Sequence, residues 1–496
     1  MRILIFHGYL LRGTGSNVYN ARLAEALARL GHEVHMVCQD RDLAGAGLDM
    51  PGIHLHNPDI GRILPVYVHD EYEGFEAKTF LDCTDEEIAH YVEANVAAVK
   101  AVADAVSPDV ALANHAIMGP VILARALGDR VPYAVKVHGS ALEYVVKVDP
   151  ARFAPFAREG LERAQAVLVG SLHTAESLWA AMEGMDLRPR TRLGPPGVDI
   201  DVFTPRDRPD AIAHLSALAE RLETMPHRDE EGSFARDEAA AGRALASLDP
   251  AANRLVTFVG KLIVSKGVDL LAAAWPLVTE RVPDAHLVVV GFGAFRNGFE
   301  GLLDALARGD LAAVRTLAAQ GRAAEGGPQG RLEMLAAFLD TIDEDAYLAA
   351  ARRLPETVTI VGRLDHGELA DLLPLCEAQV VSSTFPEAFG MVAAEAAACG
   401  ALPVSAAHSG LAEVSRELAA AVPEEARELL AFGLGPEAVH DLAACLIGWL
   451  EIDADVRART RAALVETARA RWSWEGVARG VVAAAQGKLD ALTPPC

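Results

Sequence analysis

The sequence is poor in lysine and has no excess of positive charge. Only seven lysines stand against 38 arginines in 496 residues, and the formal net charge is −24. An acidic protein of this kind is not expected to have nucleic acid or an anionic membrane as its main partner. Because lysine is scarce, a lysine at a special position deserves particular weight.

Long apolar runs and paired cysteine motifs are also missing. No segment carries about 18 consecutive apolar residues, and the chain enters a strand at Arg2 without the layout of a signal peptide. The six cysteines show no C-x-x-C spacing and are expected to be reduced core thiols. We therefore expect a cytoplasmic protein with no integral membrane segment.

The length and composition indicate two large α/β domains. Hydrophobic residues make up 51% of the chain and charged residues 23%, as in ordinary globular proteins. Turn formers near residues 193–199 suggest a boundary, so we expect an N-terminal domain over 1–195, joined by a C-terminal helix at about 476–496. The second domain then spans 196–475, with helical insertions at about 206–250 and 295–355.

The first half reads as a parallel, doubly wound sheet. Strands are predicted at 2–6, 34–38, 110–113, 133–137 and 166–169, with a helix over 17–30 between the first two. Gly13 and Gly15 lie in the loop before that helix, although Gly-x-Gly is equally typical of a tight turn. The aromatic segment 57–85 is either part of an acceptor pocket or a packed surface loop.

Two lysines follow the first predicted strand of the second half. Residues 255–259 lead into Gly260-Lys261 and then Lys266-Gly267. Ligands of open α/β sheets bind at the carboxyl ends of strands, so these lysines could clamp a diphosphate and stabilise its charge without a metal ion. The alternative is a pair of solvated loop lysines.

A second motif follows the predicted strand 380–383. Glu387 lies before an Ala-rich helix over 391–399, and Glu395 lies within it. The backbone N–H groups of Phe389, Gly390 and Met391 could bind a phosphate at the helix start. A carboxylate among alanines is costly unless it is hydrogen-bonded, and a hydroxyl-rich ligand would satisfy Glu395. The alternative is that Glu387 stabilises the helix dipole and Glu395 is solvated.

These residues resemble a known family. Glu387 and Glu395, eight positions apart within Pro-Glu-Ala-Phe-Gly, resemble the E-x7-E motif of retaining family 4 glycosyltransferases, in the glycogen synthase-like superfamily. Val137-His138-Gly139 and the paired lysines resemble further elements of the same family. The resemblance implies the GT-B fold, with two Rossmann-like doubly wound domains facing across a cleft, the donor in the second domain and the acceptor mainly on the first.

The resemblance also implies roles for individual residues. Glu387 would contact the donor sugar, Glu395 the ribose, and His138 would lie beside the donor sugar and the acceptor. Leu364 would hold the base by backbone contacts, although core packing explains a leucine there equally well. The implied catalytic residues are His138, Lys261, Lys266 and Glu387, and the implied substrate-binding residues are Gly13, Gly15, Gly260, Leu364, Phe389, Gly390, Met391 and Glu395.

The expected function is that of a hexosyltransferase of the EC 2.4 class. It would use a nucleotide-diphosphate sugar as co-substrate, no cofactor, and a small-molecule, saccharide or other hydroxyl acceptor. A GT-B phosphorylase, a sugar-nucleotide epimerase and a non-catalytic nucleotide-sugar-binding protein remain alternatives. A dinucleotide oxidoreductase fits less well because the first loop lacks Gly-x-Gly-x-x-Gly. The base, the sugar, the acceptor and the oligomeric state are not readable from the sequence.

Metal binding and covalent hydrolysis have weaker sequence support. His54 and His56 alternate in a predicted strand, but the spacing offers no convincing third ligand, even with Asp59 nearby. There is no Gly-x-Ser-x-Gly element and no Cys–His pairing typical of a covalent hydrolase. We therefore predict no metal at the reaction centre.

Overall fold

A computed structural model describes residues 1–11, 15–40, 48, 50–68, 72, 74–225 and 236–495. The chain divides into two compact units, with the divisions between Gly197 and Val198 and between Arg471 and Trp472. Within the described residues, no helix has the length and apolar character needed to cross a bilayer.

The first unit is built on a seven-stranded parallel sheet. Its strand order is β3-β2-β1-β6-β7-β8-β9, and a separate parallel pair joins β4 to β5. The strands are β1 (Arg2–Phe6), β2 (Glu33–Val37), β3 (Ile53–His56), β4 (Ile63–Val66), β5 (Glu76–Thr79), β6 (Val110–Asn114), β7 (Tyr133–Val137), β8 (Ala166–Val169) and β9 (Thr191–Leu193). The helices are α1 (Gly15–Arg29), α2 (Asp85–Val106), α3 (Gly119–Leu127), α4 (Pro150–Glu162) and α5 (Leu172–Ala181).

Both faces of this sheet are buried, which explains the continuous apolar runs of its strands. In β1, Ile3 and Ile5 face one hydrophobic core, whereas Leu4 and Phe6 face the other. Such burial is typical of parallel sheets with helices on both sides. The predicted doubly wound character of this unit is confirmed.

Local signals define where the helices begin and end. Thr84 and Glu87 form a reciprocal capping box at the start of α2, and Ser107 ends that helix in the left-handed conformation. A capping box satisfies two backbone N–H groups that would otherwise have no partner.

The second unit carries a six-stranded parallel sheet in the order β12-β11-β10-β13-β14-β15. Its strands are β10 (Arg254–Val259), β11 (Ala285–Val290), β12 (Val358–Gly362), β13 (Cys376–Val381), β14 (Leu402–Ala406) and β15 (Ala431–Phe432). The helices that cover it are α6 (Arg208–Thr224), α7 (Glu238–Ala246), α8 (Val268–Arg281), α9 (Arg296–Arg308), α10 (Leu311–Gln320), α11 (Glu333–Leu339), α12 (Glu344–Ala351), α13 (Leu354–Thr357), α14 (Leu369–Leu372), α15 (Met391–Ala398), α16 (Ser409–Ala419), α17 (Glu424–Arg427), α18 (Ala438–Glu451) and α19 (Ala454–Arg471).

The final helix of the chain returns to the first unit. Helix α20 (Trp474–Ala485) packs Trp474, Ala478 and Val481 into the core that also holds Ile3 and Ile5. Gly197 leaves room for this helix, since a Cβ there would lie 2.5 Å from the Trp474 ring. The two ends of the chain therefore share one core.

The five cysteines of the described residues are all buried and unpaired, as expected for core thiols. Cys496 lies outside the described residues.

Candidate functional site

Two loops meet at the carboxyl edge of the second sheet. One follows β10 and contains Lys261 and Lys266; the other follows β13 and contains Glu387. The backbone N–H of Thr384 donates to the Ser265 carbonyl at 2.9 Å, which ties the loops together. The strand order reverses between β10 and β13, and such a switch point is where open α/β sheets bind ligands.

Lys266 and Glu387 form an ion pair at this edge. The Lys266 ammonium donates to Glu387 Oε1, and the Ser383 hydroxyl donates to the same oxygen at 2.7 Å. The two side chains are only 31% and 26% exposed. Burial alone would raise the pKa of the Glu387 carboxyl, but the Lys266 charge and the two hydrogen bonds lower it. Glu387 is therefore held ionised and in a defined position.

Lys261 lies at the same edge. It is half-buried and follows Gly260 directly after β10, whereas Lys266 ends a single turn of 3-10 helix, Val264–Lys266. Gly267 then adopts a φ of 63°, and a Cβ there would lie 2.0 Å from the Ser382 carbonyl oxygen. Glycine is thus required at position 267 by the close approach of the two loops.

The start of α15 completes this edge. Gly390 precedes the helix with a φ of 121°, and a Cβ there would lie 2.6 Å from Leu411 Cδ2. Phe389 is buried, and Met391 is the first residue of the helix. The first N–H groups of a helix have no partner within it, so the start of α15, which follows Glu387 closely in the chain, carries a partial positive charge.

Glu395 is buried but has a protein partner. It is 3% exposed, and its Oε1 lies 2.7 Å from Nε2 of His366. The His366 ring also packs against Phe203 at a centroid distance of 4.9 Å. The sequence suggested that a ligand hydroxyl would satisfy this carboxylate; in the structure His366, which the sequence analysis did not consider, supplies one of its contacts. Leu364, two residues before His366, is buried.

Two more residues at this edge of the second sheet were not identified from the sequence. His408 Nε2 lies 2.7 Å from the Ser383 carbonyl oxygen, and the Ser409 hydroxyl accepts from the Glu387 backbone N–H at 2.9 Å. His408 precedes α16, and Ser409 is the first residue of that helix, shortly after the end of β14. Their position directly after a buried strand was the only signal that could have identified them.

The second insertion reaches the lysine loop. Glu325, in a 3-10 turn between α10 and α11, accepts from the Val264 backbone N–H at 2.8 Å through Oε2. Its other oxygen pairs with Arg322 at 3.2 Å. The insertion therefore helps to hold the turn that carries Lys266.

A polar cluster lies at the corresponding edge of the first sheet. His7, His115 and His138 each directly follow a strand, namely β1, β6 and β7, which are neighbours in the sheet. The His115 ring lies between the other two, with centroid distances of 6.3 Å to His7 and 4.8 Å to His138. Of these three histidines, only His138 was selected from the sequence.

Asparagines connect two of these histidines. His138 Nε2 lies 2.7 Å from Asn114 Oδ1, and Asn114 exchanges hydrogen bonds with Asn20. The Asn20 amide in turn lies 3.1 Å from His7 Nδ1. Because Asn20 donates to His7, His7 carries its proton on Nε2, which lies 2.9 Å from Asn17 Oδ1.

His115 differs from His7 and His138 in the hydrogen bonding of its ring. It is 2% exposed, and neither ring nitrogen has a hydrogen-bond partner among the described residues. Burial lowers the pKa of His7 to about 4 and lowers the pKa values of His115 and His138 well below their ordinary range. All three imidazoles are therefore neutral at pH 7 and can donate or accept hydrogen bonds.

The structure describes only one of the two glycines predicted to bind substrate in the loop before α1. Gly13 lies outside the described residues, whereas Gly15 is the exposed first residue of α1, two positions earlier than the predicted helix start.

The segment after β3 contains the pair β4–β5 and packs largely against the core. Tyr9 donates a hydrogen bond to the Pro65 carbonyl at 2.9 Å, and Tyr67 donates one to the Ile117 carbonyl.

Comparisons with known proteins agree with this architecture. A glycosyl transferase 4-like domain matches residues 14–186, and a glycosyl transferases group 1 domain matches residues 343–434, together more than half of the chain. A D-inositol 3-phosphate glycosyltransferase of Segniliparus rotundus is 28% identical over 57% of this chain and 51% of its own. The chain thus spans about half the length of that curated relative.

Solved structures share the fold over nearly the whole chain. A sucrose-phosphate synthase from Thermosynechococcus elongatus has a TM-score of 0.59 at 20% identity, covering 99% of both chains. HepE from Anabaena, in complex with UDP-glucose, has a TM-score of 0.57 at 17% identity, covering 99% of this chain and 100% of its own. These likenesses confirm the predicted GT-B fold, and with the two family matches they show that the chain belongs to the GT-B glycosyltransferases of the family 4 type.

Proposed function

We propose that this protein transfers a hexose from a nucleotide-diphosphate sugar to a hydroxyl acceptor, with retention of configuration and without a metal ion at the reaction centre. The observation that carries the proposal is the ion pair of Lys266 with Glu387 beside the start of α15. A fixed cation, a fixed anion and a helix N-terminus are thereby found together at the switch point of one sheet.

These three groups suit the parts of a nucleotide sugar. Lys266 and Lys261 would face the diphosphate, aided by the backbone N–H groups at Gly390 and Met391. Glu387 can only accept hydrogen bonds because it is ionised, which suits sugar hydroxyls. Glu395, already held by His366, would accept from the ribose hydroxyls.

In the proposed reaction the bond between the anomeric carbon and the diphosphate oxygen breaks, and a bond to the acceptor oxygen forms on the same face. The acceptor proton passes to the leaving diphosphate oxygen. Negative charge grows on that diphosphate during bond cleavage, so cations already in place stabilise the transition state more than the ground state. The two lysines would thereby stabilise the leaving diphosphate in place of a divalent cation.

We assign the acceptor to the polar edge of the first unit. His138 is neutral there and is only partly buried, so its ring is the part of the histidine cluster that an acceptor hydroxyl can contact. The relative from Segniliparus rotundus is named for D-inositol 3-phosphate, which makes phosphorylated cyclitols a reasonable first class of acceptor to test.

The first experiment is a thermal-shift screen with the UDP, GDP and ADP sugars, starting with UDP-glucose because HepE was solved with it. A matching donor should raise the unfolding temperature according to its affinity. If none does so, the donor assignment fails.

The reaction is then tested with the donor identified. Transfer should release the nucleotide diphosphate, conserve the anomeric configuration of the donor and proceed in the presence of a chelator. An inverted product or a strict need for a divalent cation would contradict the mechanism. Binding without turnover would indicate the non-catalytic alternative, and a requirement for free phosphate would indicate a phosphorylase.

A further inference from the structure

Three histidines and a glutamate gather on one face at the outer edge of the first sheet. Glu33 and His35 alternate along β2, and His54 and His56 alternate along β3, the edge strand. The parallel register places His35 opposite His54. Because alternate residues of a strand share a face, all four side chains lie on the same side of the sheet.

The donor atoms of three of these residues converge. Glu33 Oε1 lies 3.2 Å from His35 Nε2 and 3.6 Å from His54 Nε2, and all three donor atoms lie within 4.8 Å of one another. Ligand atoms at about 2.0–2.1 Å from a tetrahedral zinc ion are about 3.3 Å apart. The His35 and His54 rings are nearly parallel, so one ring must turn before both can direct a nitrogen lone pair at the same ion. His54, half-exposed on the edge strand, is the ring placed to do so.

His56 supports this arrangement from behind. Its Nε2 lies 3.1 Å from His35 Nδ1, so it can fix the His35 ring while His35 Nε2 faces Glu33 and His54. Metal-binding histidines are usually oriented in this way through their second ring nitrogen. The His35 and His54 rings are also stacked, with centroids 4.8 Å apart.

We propose that Glu33, His35 and His54 form a binding site for a zinc-class divalent transition metal, with His56 as the positioning residue. Two imidazoles and one carboxylate match the ligands that such ions prefer, and a tetrahedral ion would keep its fourth position for water. The exposure of His54 and Glu33, about half for each side chain, gives the ion a path from solvent.

The site is separate from the proposed transfer chemistry. Glu33 begins β2, whereas His7 and His138 follow the carboxyl ends of their strands. A metal that joins β2 to the edge strand β3 would stabilise this edge of the first unit. The proposal is independent of the transferase assignment, since the ion is not expected to take part in catalysis.

Titration of chelator-treated, dialysed protein with Co²⁺ and Zn²⁺ tests the proposal. We expect one Co²⁺ per chain with the visible absorption of a four-coordinate ion, displacement of Co²⁺ by Zn²⁺, and a higher unfolding temperature with Zn²⁺. His54→Ala and Glu33→Gln should each weaken Zn²⁺ binding at least tenfold. His54 is half-exposed on an edge strand, so its variant should fold; a matching circular dichroism spectrum checks this.

His90→Ala is the matched control, because His90 is an exposed histidine on α2 outside the cluster. It should bind Zn²⁺ like the wild type. Absence of stoichiometric binding would mean that Glu33 and the histidines form only hydrogen bonds and would overturn the proposal. Unchanged binding in both cluster variants, or loss of binding in the control, would also overturn it.

Discussion

Replacing Lys266 by Met should remove the charge that serves both the diphosphate and Glu387. A preorganised charge at a reaction centre is worth about 10²–10³ in rate, or roughly 2.7–4 kcal/mol. The Lys266 side chain is 31% exposed, so water screens part of its charge and we expect the lower end, about a hundredfold loss of transfer rate. Lys261→Ala should have an effect of the same order.

The pH profile distinguishes an electrostatic role for Lys266 from a structural one. In the wild type the pKa of Glu387 is lowered despite burial because Lys266 stabilises the carboxylate. Without Lys266 only the Ser383 hydrogen bond and His408 oppose the effect of burial, so the pKa of Glu387 should rise. If the ionised form is the active one, the rate of the variant should climb with pH over a range in which the wild type is already constant.

Transfer rates are measured as released nucleotide diphosphate at saturating donor from about pH 5 to 8. Lys100→Met, which replaces an exposed lysine on α2, is the control and should change neither rate nor profile. In the double variant Lys266→Met with Glu387→Gln, the added pH dependence should vanish. A Lys266→Met variant that folds normally and retains most of its activity would refute the reasoning.

Three further predictions concern single side chains. Glu395→Gln should raise the donor dissociation constant about tenfold in calorimetry while single-turnover rates at saturating donor change less. Gly390→Ala should cost about 1–3 kcal/mol in urea unfolding because of its φ of 121° and the contact with Leu411, whereas Gly301→Ala, where a Cβ meets nothing within 4 Å, should not destabilise. Burial lowers the pKa of Lys136 to about 7, so the folded form loses this proton before the unfolded chain does; stability should rise with pH from about 7 to 10, and Lys136→Met should abolish that rise.

The fold was largely predictable where apolar strands were continuous. The predicted strands 2–6, 133–137 and 166–169 agree with β1, β7 and β8. Strand β13 was placed too late, at 380–383, because Glu377 and Gln379 interrupt its apolar pattern. Both are buried with tertiary partners: Glu377 pairs with Arg461 at 3.2 Å, and the Gln379 amide donates to the Val392 carbonyl at 3.0 Å. Local pattern cannot reveal partners that lie far along the chain.

The insertion at about 295–355 also shows that local sequence pattern does not reveal structure that depends on tertiary packing. A helical insertion was predicted over about 295–355, and the structure divides it into five helices, α9–α13, three of them no longer than eight residues. Such short helices have little stability of their own and depend on packing. Tyr347, for example, donates to the Ala273 carbonyl of α8 at 2.9 Å.

The sequence by itself determined the family type and the candidate residues, because motifs such as Lys-Gly and Pro-Glu-Ala-Phe-Gly are local and follow strands. Only the tertiary structure decided which residues meet. Lys266 and Glu387 are 121 positions apart, and they pair because β10 and β13 are neighbours in a sheet whose order is not the order of the chain. The same cause brings His7 to His115, since β1 pairs with β6. Parallel strands need long crossover connections, so their partners are set by topology rather than by spacing.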